Sequence, residues 1–200
     1  MTSKKEKLAE FHKNSIIEAA KNLFAERGVA YTKMDDIAIA AGYSKSTLYA
    51  YFKSKDEIFN HIILEHITIL KTAIETALKD NPGFPEGYYA ICNALSEFYN
   101  KYPTYFESII GEIKIPKDES EAILISIYQV GEEINHIIED YIKHSRLDVP
   151  ALQATFTLWS AISGVIIMAH KKEMYINKAM SISKERFMQD GFAMLMKGIL

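Results

Sequence analysis

Residues 43–55 bring together Tyr43, Ser44, Lys45, Ser46, Thr47, Tyr49, Tyr51 and Lys55. Hydroxyls and ammonium groups donate hydrogen bonds to phosphate oxygens, and a tyrosine adds a flat apolar ring with a polar tip. That mixture suits the major groove of DNA, where thymine methyls and base-edge acceptors lie beside phosphates. Leu48 and Phe52 stand one helical turn apart in the same stretch, so on a short helix they face inward together. The plainer reading is a solvated polar face with tyrosines packed at its margin. A turn, three cap signals and an aromatic–lysine cluster coincide here, and the coincidence favours binding over packing.

Other chemistries find less support. No Ser-His-Asp order, phosphate-cradling glycine loop or activated cysteine stands out, so no catalytic residue is assigned and no enzyme is expected. Cys92 is the single cysteine, which leaves no internal disulfide and no cysteine-based zinc site. Glu133 and His136 have the Glu-x-x-His spacing of di-metal bundles, but a second such pair is missing. Glu132, Glu133, Glu139 and Asp140 therefore read as a solvated face, and no metal or cofactor is expected. His61 and His66 are five apart, on different faces of a helix.

The elements that must position the cluster are helical, for no period-2 pattern persists. Ile16, Ile17, Ala20, Leu23 and Phe24 mark the buried face of a first helix, which Gly28 ends as a left-handed cap. Thr32 opens a second helix, residues 34–41, by a capping-box spacing to Asp35. Gly42 stops it, and Ser44 caps a third. Ser54-Lys55-Asp56-Glu57 is a further capping box, starting a long helix that Asn81-Pro-Gly-Phe-Pro85 breaks. Further helices are expected at about 86–101, from Pro103 under a Thr104-x-x-Glu107 cap, at 119–144, at 150–175 and at 183–200, with a loop at 111–117. Two short helices joined by a tight glycine turn after a longer one describe a helix-turn-helix. The fold class is all-α, with eight to ten helices.

Charge follows the same division. The 200 residues carry a net charge of −3, but residues 1–60 hold ten Lys and Arg against eight Asp and Glu, leaving thirteen against eighteen in the rest. The sign fits a nucleic-acid end followed by one with another task. The N-terminus, MTSKKEKLAEF, has lysines without the apolar run of a signal peptide. The longest apolar run, residues 156–169, is broken by Thr157, Ser160 and Ser163, and falls short of the roughly 20 residues of a membrane span. A cytoplasmic protein with no membrane partner is expected.

The segment TKMDDIAIAAGYSKSTLYAYFKSKDEIF resembles the DNA-binding domain of the TetR family of transcriptional regulators. The resemblance rests on Ile37-Ala38, Ala41-Gly42, Ser44, Leu48-Tyr49, Phe52, Lys53, Lys55 and Ile58-Phe59, and covers about residues 12–60. Ala50 and Tyr51 depart from the commonest pattern, which has a bulky residue and a histidine there. The resemblance implies a helix-turn-helix DNA-binding domain at residues 1–57, its helix-turn-helix at about 34–52. It implies a helical effector-binding and dimerisation domain at residues 58–200. It further implies phosphate contacts from Thr32, Thr47, Tyr49, Tyr51 and Lys55, with Ser44, Lys45 and Ser46 at or near base edges. Tyr43 joins them as a DNA-binding candidate.

In the second domain Tyr88, Tyr89, Phe98, Tyr102, Tyr105, Phe106 and Tyr128 are candidates for an effector pocket, although aromatics at helical spacing also serve as ordinary core. By the resemblance, Trp159, Ser160, Gly164 and Ile167 are candidates for a homodimer interface of paired helices, although such a face also serves as simple core. A dimer is also what reading a palindrome requires, since one short helix makes too few contacts. The expected function is a regulator, most simply a repressor, that binds palindromic double-stranded operator DNA as a homodimer and is released by a small-molecule effector, largely apolar or aromatic. The alternative is a helical-bundle carrier of small molecules or lipids, or an enzyme, with no DNA role.

Overall fold

Four of the helices begin at a serine, Ser3, Ser44, Ser54 or Ser183, whose hydroxyl takes up an unpaired N–H of the first turn. A computed structural model describes residues 3–111, 121–143 and 149–198, and among these the chain forms ten helices and no strand. Ser3 and Glu6 form a reciprocal capping box at the start of α1, Lys4–Arg27. Helix α2 is Met34–Ala41, α3 is Lys45–Tyr51 and α4 is Lys55–Asp80. After them come α5, Glu86–Lys101, and α6, Pro103–Ile109. The remaining four are α7, Ala122–Ile142; α8, Ala151–Lys171; α9, Glu173–Met180; and α10, Lys184–Lys197. The expected loop at 111–117 lies outside the described residues beyond Gly111.

The chain divides into two compact units. The first takes residues up to Glu65 with 121–127, and the second takes His66 onward through α5 and α6 and from Tyr128 to the end. The division thus falls within α4, eight residues beyond the boundary expected at 57. In the first unit Ile16, Ala20, Phe24, Ile37, Leu48, Phe52, Ile58 and Ile62 form the core. Phe24 meets Phe59 edge-on with ring centroids 5.9 Å apart. In the second unit α5 supplies Tyr88, Ile91, Leu95 and Phe98 to a core shared with Ile138, Ile162, Ile166 and Phe192.

Several caps differ from the sequence expectation. Lys33, not Thr32, is the N-cap of α2, because the Asp36 carboxylate accepts the Lys33 N–H at 3.0 Å while the Thr32 hydroxyl turns back to donate to the Gly28 carbonyl at 2.9 Å. Ser54 accepts the Glu57 N–H at 3.1 Å, but the Glu57 carboxylate takes the Lys53 N–H instead of closing the box. Thr104 does not cap α6; Pro103 occupies the first turn, and Glu107 is drawn away to the Tyr99 hydroxyl and to Lys171. The helix expected at 150–175 breaks at Lys172, and α9 follows as a separate element that Ser181 ends in a left-handed conformation. Glu133 is exposed, as its place on a solvated face requires, and pairs there with Lys71 at 2.6 Å.

The tightest approach to a glycine in the second unit is at Gly87. A Cβ at Gly87 would lie 2.6 Å from the Asn81 carbonyl oxygen and 2.7 Å from the Tyr141 ring. Gly87→Ala is therefore expected to destabilise the protein by about 1–3 kcal/mol, read as a lower urea midpoint at unchanged m-value.

Two histidines couple stability to pH. Burial and then Lys13 hold His61 below the ordinary imidazole value; burial and then Lys184 do the same for His170. Both stay neutral in the folded chain at a pH where a free imidazole is protonated. Their contribution is intact above about pH 6.5, the unfolded value, and is lost as pH falls below it. The double variant His61→Gln, His170→Gln is expected to lose less Tm between pH 7.5 and pH 5.5 than the parent protein does.

Candidate nucleic-acid interface

Helix α3 has seven residues, too few to hold itself together in water. Two features fix it. Ser44 caps its start, accepting the Thr47 N–H at 3.1 Å, and its Oγ lies 2.9 Å from the Ser46 hydroxyl and 2.8 Å from that of Thr47. Leu48 and Phe52 then pin its inner face, at 0% and 1% exposure. Gly42 makes the turn that brings α3 round. It ends α2 at φ 74°, ψ 26°, and since a Cβ there would meet nothing within 4 Å, it is the left-handed backbone that favours glycine.

With that face committed, the rest of α3 is presented outward. Lys45, Ser46, Tyr49 and Ala50 are exposed, as is Ser44, while Tyr43, Thr47 and Tyr51 are half-buried. An open recess of about 420 Å³ is lined by Lys33, Met34, Asp35, Lys45, Tyr49 and Lys55, together with Ala30 and Thr32. The structure thus brings Thr32, Lys45, Tyr49 and Lys55 around one concavity. Thr32 contributes wall only, because its side chain is buried and its hydroxyl is used by Gly28.

Two of the cations are already engaged. The Lys45 ammonium lies 2.9 Å and 3.1 Å from the two carboxylate oxygens of Asp35, and this hydrogen bond raises the lysine's pKa. The Lys55 ammonium donates to the Val29 carbonyl at 2.6 Å and to that of Ala30 at 3.5 Å. Lys55 therefore clasps the loop between α1 and α2 from the start of α4.

One contributor escaped the sequence reading. His12 Nδ1 lies 2.6 Å from the Tyr43 hydroxyl, with the two rings edge to face at 5.4 Å, and its ring is 5.7 Å from that of Tyr51. It holds both tyrosines at the margin of α3. The signal was the spacing of His12, Ile16 and Ala20, which puts the imidazole on the buried stripe of α1.

In the second unit the effector candidates fall into separate groups. His66 packs against Tyr102 at 4.6 Å and Tyr105 at 4.0 Å, and Phe98 meets Tyr102 at 5.2 Å and Phe106 at 6.2 Å. Tyr88 instead faces a small, partly open space with Trp159, while Tyr89 and Tyr128 lie at the surface. Of the interface candidates, Ser160 and Gly164 are exposed and Trp159 and Ile167 half-buried. Ser160 lies on an outward face of α8 with Phe156 and Thr157.

A capped, glycine-turned pair of short helices, the second held by two buried side chains and open on its other faces, defines a helix-turn-helix unit. Residues 16–62 match the family model described as bacterial regulatory proteins, tetR family, and the helix-turn-helix of this chain is a TetR-family one. The chain is 28% identical over 131 residues to YhgD of Bacillus subtilis, an HTH-type transcriptional regulator, covering 66% of this chain and 65% of that one. It is 30% identical over 86 residues to FasR of Mycolicibacterium smegmatis, an HTH-type transcriptional activator, covering 43% and 39%. The matched regions are thus less than two thirds of either relative's length. The fold extends further: Thermus thermophilus FadR, a TetR-family repressor solved with lauroyl-CoA, superposes with a TM-score of 0.60 over 94% of this chain and 95% of its own, at 17% identity.

Because Lys55 ties the α1–α2 loop, Lys55→Met is expected to lower the unfolding free energy by about 1.5–3 kcal/mol, the range for hydrogen bonds to charged groups. Equilibrium urea denaturation monitored by circular dichroism checks this.

Proposed function

We propose that the protein is a transcriptional regulator that binds palindromic operator DNA as a homodimer through α3, and that a small-molecule effector in the second unit releases it. The observation that carries this reading is the division of α3: Leu48 and Phe52 are buried, and Lys45, Ser46 and Tyr49 are left outward on a helix of major-groove size. Thr47, Tyr49 and Tyr51 serve phosphates, with Lys55 and the first turn of α4 beside them. Ser44, Lys45 and Ser46 serve base edges, and Tyr43 is held in place by His12. Thr32 acts through the loop it straps.

The dimer rests on α8. Its outward face carries Leu152, Phe156 and Met168, all exposed, beside Ser160 and Gly164. A contiguous apolar face of this kind marks a protein contact, and a twin chain covers it with its own copy. Trp159 and Ile167 flank that face. Gly164→Glu, where a Cβ meets nothing within 4 Å among the described residues, is expected to leave the fold intact and to yield monomers in analytical ultracentrifugation.

The effector acts by binding better to the state in which the two α3 helices no longer match the groove spacing. Helix α4, with residues in both units, links the two covalently. Tyr88, Tyr89, Phe98, Tyr102, Tyr105, Phe106 and Tyr128 are aromatic groups from which the effector site can draw, and an acyl or aromatic ligand suits them. Repression is the simpler output, since a bound dimer blocks the polymerase without a further partner. The location is cytoplasmic, where the DNA is.

The test is binding to duplexes selected from a randomised pool. Tyr49→Ala is expected to cost about tenfold or more in affinity, and affinity to fall steeply with salt as phosphate counterions are released. Asp35→Asn, which unties Lys45, is expected to raise affinity severalfold at low salt and less at high salt. Indifference to both substitutions, or no duplex enriched, contradicts the proposal and favours a carrier or enzyme built on the helical bundle.

A further inference from the structure

Thr155 is buried in α8, 1% exposed, and its hydroxyl has no hydrogen-bond partner among the described residues. Its neighbours behave differently. Thr157 and Ser160 on the same helix return their hydroxyls to the carbonyls four residues back, Gln153 and Phe156, each at 2.8 Å. That is the usual way a helix satisfies such groups. Thr155 instead lines a narrow, partly open space of about 20 Å³ walled by Phe84, Tyr88, Ile138, Tyr141 and Trp159 among others.

The two phenols in that wall are committed elsewhere. The Tyr88 hydroxyl donates to the Phe192 carbonyl at 3.0 Å and that of Tyr141 to the Gly83 carbonyl at 3.2 Å. No Asp, Glu, Lys, Arg or His is among the eleven lining residues. The space suffices for about one water, but a buried water needs two to four polar partners and the surface that lines this space is almost wholly apolar. An oxygen that arrives on an apolar body gains contact with the rings as well as the hydrogen bond. A carboxylate or ammonium would be stripped of water with no countercharge, so charged ligands are excluded.

We propose that this space is the binding site for an uncharged, largely apolar small molecule with a single hydroxyl or carbonyl oxygen, which hydrogen-bonds to Thr155. The proposal rests on the effector-responsive reading above and gives that effector a chemical class. It also selects the Tyr88 end of the aromatic set over the rings packed around His66. The wall that yields to admit the ligand is the ring pair Phe84 and Tyr141. Their centroids are 6.1 Å apart, Phe84 is partly exposed, and the Tyr141 hydroxyl donates a long hydrogen bond, 3.2 Å, at the protein surface.

Trp159 is the only tryptophan in the chain and lines the space, so its emission reports occupancy. The experiment titrates the full-length protein with three probes, benzyl alcohol, toluene and benzoate, and compares Thr155→Val with the parent. Benzyl alcohol is expected to shift the emission saturably, and Thr155→Val to weaken it about tenfold while toluene binds no more weakly than before. Retained toluene binding shows that the variant is folded with the space intact, and Thr155→Ser is expected to recover most of the alcohol affinity. Benzoate is expected to produce no saturable shift. The proposal is overturned by no saturable shift with any probe, by equal loss of alcohol and toluene in Thr155→Val, or by benzoate binding as well as the alcohol. No DNA enters these titrations, so failure of the regulator reading shows separately, as absent duplex binding alongside intact alcohol binding.

Discussion

A seven-residue helix has almost no stability of its own, so what α3 shows to the outside is decided by what holds it on the inside. Leu48 and Phe52 are the two anchors, one turn apart and almost fully buried. Together they fix the rotation of the helix about its axis, and rotation is what places Lys45, Ser46 and Tyr49 on the open side. Ser44 sets where the helix starts and Gly42 sets the direction from which it arrives. Were either anchor lost, the polar residues would remain but would no longer present one surface. The neighbouring pairs serve the same end: His12 seats Tyr43 and Tyr51, and Lys55 ties down the loop that leads into α2.

The second unit solves a different problem. Its core is largely aromatic and aliphatic, yet α8 buries two hydroxyls and an imidazole nitrogen, with Thr155 Oγ1, Ser163 Oγ and His170 Nε2 all unpartnered among the described residues. Buried polar atoms without partners weaken a fold. Their presence on one helix is easier to understand if that helix serves a ligand on its inner side and a second chain on its outer side. Ion pairs at the margin, Glu107 with Lys171 and Glu173 with Lys184, are exposed enough that they add little stability. The Lys171 ammonium, and then Tyr99, hold the Glu107 carboxyl below its usual range, and burial pushes the Tyr99 phenol up to about 12.

What the sequence revealed and what it concealed follow from range and from competition. The first unit was legible because its signals are local: Gly42 after Ala41, Ser44 three residues before Thr47, Leu48 four before Phe52. The all-α class and the ends of α5 were legible for the same reason. Which of several competing partners a polar group takes was not. Thr32 was taken for a cap, when the carbonyl of Gly28 competes for its hydroxyl and Asp36 serves Lys33 instead. Glu107 was assigned to a local cap, when Tyr99 and Lys171 claim its carboxylate. The break at Lys172 has no Pro or Gly to announce it. Thr155 could not be told from Thr157 by residue type, since only packing decides which hydroxyl goes unpaired.

The claim on which all else stands is that a twinned pair of α3 helices reads two adjacent major-groove faces of one duplex. Hydroxyl-radical footprinting combined with guanine-methylation interference, on a duplex enriched by the full-length protein, addresses it most directly. The expected result is two stretches related by an inverted repeat, with interfering guanines in major grooves on one side of the helix, about one turn or a multiple of it apart. A single unpaired stretch, protection confined to the minor groove, or no protection at all would contradict it.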